Sequence, residues 1–257
     1  MNILKALAAT AVISTAVATP AMAAVTDITF SNVKATWFAP IGGSNLNPVD
    51  NGTDNAAYYW GNTSGEQSGY RFQTDIPVIS VDTDTQTSGV TSIGTFTHYN
   101  YTINSNSGIS GIKLQLTMDV TVGETVMQDI SFVYAFNHWE TPNSSNPCAD
   151  GGAHGVGIND HGCADNVSVN FLQESGFFTI DDIEYALDVQ GFLVGDDPAT
   201  SFWTRESAAN VAELRGKVVL RSVAGAVPEP ATWAMMIGGF ALAGGALRRR
   251  KTAVSFA

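Results

Sequence analysis

The chain is predicted to be an all-β protein, a jelly-roll-like antiparallel β-sandwich. Three observations predict it. Apolar residues recur at every second position in several segments, clusters of Gly, Asn, Ser and Asp interrupt those segments at short intervals, and no alternation of strand and helix patterns appears. A closed barrel is the alternative the same pattern allows. With 44% hydrophobic and 14% charged residues over 257 positions, the chain can build one sizeable core, which excludes an intrinsically disordered protein. The 12 basic and 24 acidic residues give a net charge of -12, so the surface repels phosphate backbones and a nucleic-acid partner is excluded.

The N-terminal element lies outside the fold. Lys5 supplies a single early cation, Ala6 to Ala18 is apolar and small, and Ala21, Met22 and Ala23 form an A-x-A site. That order is the pattern of a secretory signal peptide, so residues 1–23 are expected to be removed by signal peptidase. The body, residues 24–226, opens with strand-like sequence and then Ser44 to Gly69, rich in Asn, Gly, Ser and Thr. This stretch reads as a long loop or pair of hairpin loops. Its Tyr58, Tyr59 and Trp60 are candidates for stacking on sugar rings, as flat aromatic faces do, or for anchoring the loop to the core.

Gly94 to Ile103 follows as a strand in which Phe96, His98 and Asn100 share one face. Ile112, Leu114, Leu116, Met118, Val120 and Val122 then alternate with polar residues as a half-buried strand. The same period runs through Ile130, Phe132, Tyr134 and Phe136, through Val167, Val169 and Phe171, and through Ile183, Tyr185, Leu187 and Val189. Only Glu206 to Leu214 suggests a helical period. Extending the third series puts His138 inside, next to Glu140. A half-buried pair such as His98 and Asn100 must find partners, and Glu140 with Asn143 is the expected source. His98 is either a hydrogen-bonded structural histidine or a ligand; no G-x-S-x-G or comparable nucleophile pattern accompanies it.

Cys148 and Cys163 are the only cysteines, in a chain bound for an oxidising compartment, and are expected to form a disulfide. Closing a loop of about 15 residues stabilises by roughly 3 kcal/mol in the chain-entropy model. Zinc on Cys148, His154, His161 and Cys163 would need reduced thiols and a spacing unlike any standard finger. Calcium on Asp150, Asn159, Asp160 and Asp165 suits the hard oxygen donors of this Gly-rich stretch, although no D-x-D-x-D-G loop is present. No other cofactor is implied. Glu140, Glu174, Asp181 and Asp182 could suggest a glycosidase pair, but acids are plentiful here and no enzyme is expected.

The C-terminal element, residues 227–251, also lies outside the fold. Pro228, Glu229 and Pro230 precede an uncharged run from Ala231 to Leu247, and Arg248, Arg249, Arg250 and Lys251 close it. As a single hydrophobic helix the run would rise roughly 25 Å, near the lower limit for crossing a bilayer, with the basic cluster kept in the cytoplasm. Removing both terminal segments leaves 7 of the 12 cations and 23 of the 24 acids, a mature net charge of about -16.

This three-part tail resembles the PEP-CTERM sorting signal of Gram-negative bacteria. The resemblance implies transient insertion in the inner membrane, removal of the tail by an exosortase, and a mature form in the extracellular matrix or at the cell surface, tethered or released. Within the body, Thr97-His98-Tyr99-Asn100 resembles the motif of the THxN family of PEP-CTERM proteins. Trp60-Gly61, Ser68-Gly69-Tyr70, Glu140-Thr141-Pro142-Asn143, Cys148, Cys163-Ala164-Asp165 and Gly191-Phe192 follow in a similar order. Asn166 stands where that family is expected to have a basic residue. The family has no established activity, so the resemblance implies location and fold, and the expected role is non-catalytic adhesion or structure in an exopolysaccharide matrix or biofilm. A carbohydrate-binding module and a secreted carbohydrate-active hydrolase are the alternatives.

Overall fold

A computed structural model of the chain describes residues 25–82, 85, 87–171, 176–180, 183–223 and 240. The expected signal peptide lies outside these residues, as does the tail except Phe240, which is helical and exposed. Among the described residues no helix is long and apolar enough to cross a membrane.

The regular structure of the described residues is almost entirely strand: β1 (Val25–Gly42), β2 (Asn47–Val49), β3 (Asn55–Trp60), β4 (Ser68–Thr74), β5 (Ile79–Asp82), β6 (Thr87–Ser88), β7 (Thr91–Asn100), β8 (Ile109–Val122), β9 (Thr125–Trp139), β10 (Asp165–Phe171), β11 (Phe178–Ile180), β12 (Ile183–Val194), β13 (Asp197–Ala199), β14 (Ser201–Thr204) and β15 (Ala208–Val223). One 3₁₀ turn, Gly157–Asn159, sits in the loop between β9 and β10. All strand pairing is antiparallel, and hydrogen bonding runs continuously in the order β14-β10-β9-β8-β1-β5-β6-β15-β7-β4-β3-β2, with β12 also on β15. The short strands β5 and β6 carry the sheet from one layer to the other. Because β14 and β2 are the two ends of that path, the sheet is folded over and not closed into a barrel.

The alternation seen in the sequence decides which faces meet. In β8, Ile112, Leu114, Leu116, Met118 and Val120 are buried, and in β9 so are Phe132, Tyr134 and Phe136. Their inward faces meet those of the other layer through aromatic contacts. Phe136 stacks on Phe96 of β7 with centroids 5.2 Å apart, Trp37 of β1 lies 5.6 Å from Tyr70 of β4, and Phe192 of β12 lies 4.9 Å from Phe202 of β14. Such ring pairs add about 0.5 to 1.5 kcal/mol each beyond the area they bury.

Two local expectations are corrected. Ser44 to Gly69 holds β2, β3 and the start of β4, because alternate residues Ala56, Tyr58 and Trp60 have a core to enter. Glu206 to Leu214 is a turn followed by β15, which pairs residue by residue with β7 from Ala208↔Asn100 to Leu214↔Gly94. Pairing with a neighbouring strand overrides the weak helical period.

Candidate functional site

The inward register does not stop where the apolar residues do. Two residues further along each strand it places polar groups inside one end of the sandwich: Phe72 leads back to Tyr70, Phe96 on to His98 and Asn100, Phe136 to His138, Val167 back to Asp165, and Phe202 to Thr204. Beyond the last residues of β9 and β14, Glu140 and Glu206 turn into the same region. His98, Asn100, Asp165, Thr204 and Glu206 are completely buried.

These groups form two linked networks. In the first, Thr204 Oγ1 donates to the Asp165 carbonyl at 3.1 Å and so accepts from His98 Nδ1 at 2.9 Å. That assigns His98 the tautomer protonated at Nδ1. Asn100 Nδ2 donates to the Thr204 carbonyl at 3.0 Å. In the second, the Tyr70 hydroxyl meets His138 Nδ1 at 2.7 Å, and His138 Nε2 lies 3.2 Å from Glu140 Oε2. Asp165 Oδ1 accepts from the Thr141 amide at 2.6 Å, while Thr141 Oγ1 donates to the Ala164 carbonyl at 3.0 Å. The imidazoles of His98 and His138 stand edge to face, 5.1 Å apart, and join the networks. The partner expected for His98 and Asn100 is therefore corrected: it is Thr204, while Glu140 serves His138.

Burial dominates the electrostatics. It pushes the Glu140 carboxyl up to about 7. Asp165 rises to about 8 from burial and the Glu140 charge, and Glu206 rises to about 7 for the same two reasons. Burial holds His138 down to about 4, and it lowers His98 well below the usual range with help from His138. Near pH 6 the contact of His138 with Glu140 is thus a hydrogen bond between neutral groups, not an ion pair. Among the described residues, one carboxylate oxygen each on Asp165 (Oδ2) and Glu206 (Oε1) has no hydrogen-bond partner, nor has His98 Nε2.

The Cys148–Cys163 disulfide closes the loop that covers this end. Gly162 lets that loop pass close by: its φ is +137°, and a Cβ there would meet Glu206 Cγ at 3.0 Å. Over the mouth, Glu140, Thr141, Pro142 and Asn143 face Thr102 to Asn106 across a cavity of about 430 Å³.

The calcium set is corrected. Asp150 accepts from Asn159 Nδ2 at 2.9 and 3.0 Å, so the asparagine offers it an N–H and no oxygen, and Asn159 Oδ1 accepts from the Ala164 amide. Asp160 points outward to Arg205 and His161. Only Asp165 reaches the buried cluster. The sugar-stacking set is corrected as well, since Trp60 and Tyr58 are sealed in the core and no ligand can reach their faces; Tyr59 lies half-buried, 6.0 Å from Tyr99.

An aromatic pair lies elsewhere, on the outer face, with Trp139 exposed and Trp203 half-buried. Asn166 of β10 is in register with Trp139 of β9 on one side and Trp203 of β14 on the other, and the two indoles lie 5.7 Å apart. Trp139 is 55% exposed. The next outward row is Asn137, Ser168 and Ser201, and a polar groove of about 440 Å³ along β10, β12 and β14 adjoins it. The signal for this pair was present in the sequence: Trp139 is an outward residue in the alternation that puts Phe136 and His138 inside. Glu174, Asp181 and Asp182 lie outside the described residues.

Residues 226–251 match the PEP-CTERM protein-sorting motif. The chain carries a PEP-CTERM sorting tail. It is therefore an exported protein sorted by exosortase, with Pro228, Glu229, Pro230 and the arginines 248 to 250 inside the matched segment. No curated protein matches the chain. The PEP-CTERM match covers the tail, and the THxN likeness of the body stands as a resemblance on the residues given above.

Proposed function

We propose that the mature body works outside the cell as a non-catalytic protein of the exopolysaccharide matrix and holds polysaccharide on its outer face. The observation that carries this reading is the Trp139 and Trp203 pair. An exposed indole, Trp139, with the half-buried Trp203 beside it suits the apolar face of a sugar ring, and the amides and hydroxyls of Asn166, Asn137, Ser168 and Ser201 next to them suit sugar hydroxyls. A net charge of about -16 favours a neutral polysaccharide over an anionic one.

The hydrolase alternative has one observation in its favour, the raised carboxyl of Glu140 at the mouth of a cavity. Its neighbouring acid, Asp165, is completely buried, where a glycosidic bond cannot reach it. We therefore assign neither residue a catalytic role.

Retention of the mature chain on neutral exopolysaccharide, read by affinity electrophoresis, tests the proposal. Trp139→Ala and Trp203→Ala should each weaken retention several-fold, by analogy with buried aromatic anchors of other interfaces, with the melting temperature changed little. Full retention by the double variant would sink it.

A further inference from the structure

One ligand atom each from His138, Glu140 and Asp165 lies within 4.8 Å of the others. Atoms bound to one ion at about 2.0 to 2.4 Å stand about 3.3 to 4 Å apart in a tetrahedral site and up to about 5 Å apart on opposite sides of the ion, so a short closing movement of the Glu140 side chain brings the three into one coordination sphere. We propose that the cluster binds one divalent transition-metal ion of the zinc class, through His138 Nε2 and the carboxylates of Glu140 and Asp165, with Glu206 at its margin.

Acidic residues in company are not by themselves a site. Here, however, Asp165 Oδ2 and Glu206 Oε1 are fully buried acceptors with no donor among the described residues. Among the described residues no lysine or arginine pairs with Glu140, Asp165 or Glu206. A buried carboxylate oxygen without a donor or counter-charge is costly, and a cation satisfies both needs at once. The histidine is arranged as metal-ligating histidines are. Its Nδ1 is engaged by the Tyr70 hydroxyl at 2.7 Å, which fixes the ring and turns Nε2 toward Glu140. A nitrogen donor selects zinc-like ions over calcium and magnesium, which take oxygen. Entry is provided for, since the Glu140 side chain is 27% exposed and lines the 430 Å³ cavity. A bound ion would tie the end of β9 to the start of β10 beneath the disulfide loop.

The test uses the mature secreted chain, stripped with chelator and titrated with zinc by calorimetry, with metal content counted by mass spectrometry. One zinc per chain and a higher melting temperature are expected. Glu140→Gln, at the mouth, should keep its circular dichroism and bind zinc at least about tenfold more weakly. Cobalt in place of zinc should give visible absorption bands that the same substitution removes. The double variant His154→Ala/His161→Ala, at exposed positions of the loop, should bind as the parent does. Should Asp165→Asn fail to fold, Glu140→Gln and the cobalt spectrum decide. A folded chain that takes up no stoichiometric zinc overturns the proposal. So does a Glu140→Gln chain that binds as tightly as the parent, or loss of binding in the loop double variant.

Discussion

At the scale of single residues, His98 is held by what it bonds and not by what lies nearest in sequence. Its Nδ1–H donates to the Thr204 hydroxyl, which in turn donates to the Asp165 carbonyl. Thr204→Val would keep the volume and orphan the His98 donor, at a cost of about 1 to 3 kcal/mol. A double-mutant cycle of His98→Ala with Thr204→Val, measured by urea unfolding, should return a coupling of about 0.5 to 3 kcal/mol, and the cycle with Glu140→Gln a smaller one. The titration of the cluster gives a second expectation at this scale. Glu140, Asp165 and Glu206 have folded values of about 7, 8 and 7, above their ordinary 4.5, 3.8 and 4.5, so the stability they contribute is present in acid and is lost as pH rises through those folded values. His138, depressed to about 4 from 6.5, acts oppositely: its contribution is present above 6.5 and is lost as pH falls toward 4. Between pH 4 and 6.5 the two trends oppose each other. Above 6.5 only the carboxyl trend remains, so the melting temperature of chelator-treated protein should fall from pH 6.5 to 9. A flat or rising profile would contradict the burial of these three acids.

At the scale of elements, the strands and the disulfide loop differ in what holds them. β8 and β9 pair along most of their length and bury their alternate residues in the common core. The loop between β9 and β10 has few apolar residues to bury and depends on Cys148–Cys163, the Asn159 bonds to Asp150, and Thr141. Replacing both cysteines by serine should cost roughly 3 kcal/mol, read by urea unfolding. The strand content, read by circular dichroism, should stay unchanged. The alternation of β8, β9, β10 and β12 was legible because a strand buried on one face repeats every second residue. β2 and β3 were not, because the turn-rich composition around them masks a strand whose alternation is only three residues deep. Glu206 to Leu214 misled for a related reason: a single segment with a weak period is decided by the strand it pairs with.

At the scale of the whole molecule, the two ends govern where the protein goes and the body governs what it can hold. The PEP-CTERM match at residues 226–251 and the A-x-A site at Ala21 to Ala23 predict that intact mass of the mature chain, made in an exosortase-competent host, lacks residues 1–23 and the segment beyond Pro230. A recovered chain ending at Ala257 would refute removal of the tail. The ends are readable from sequence alone because the export and sorting machinery itself reads short linear segments. The β class was readable too, since a period of two is a local property, and so was the pairing of two lone cysteines. Which strand ends meet, by contrast, is set by pairings between strands far apart in the chain. His98, Glu140, Asp165 and Glu206 are separated by up to 108 positions, and only the folded-over sheet, carried across by β5 and β6, brings them to one buried place. The same fold sealed Trp60 inside and left Trp139 outside. Alternation tells a residue's face within its own strand, whereas the layer that covers that face is chosen by pairings remote in the chain.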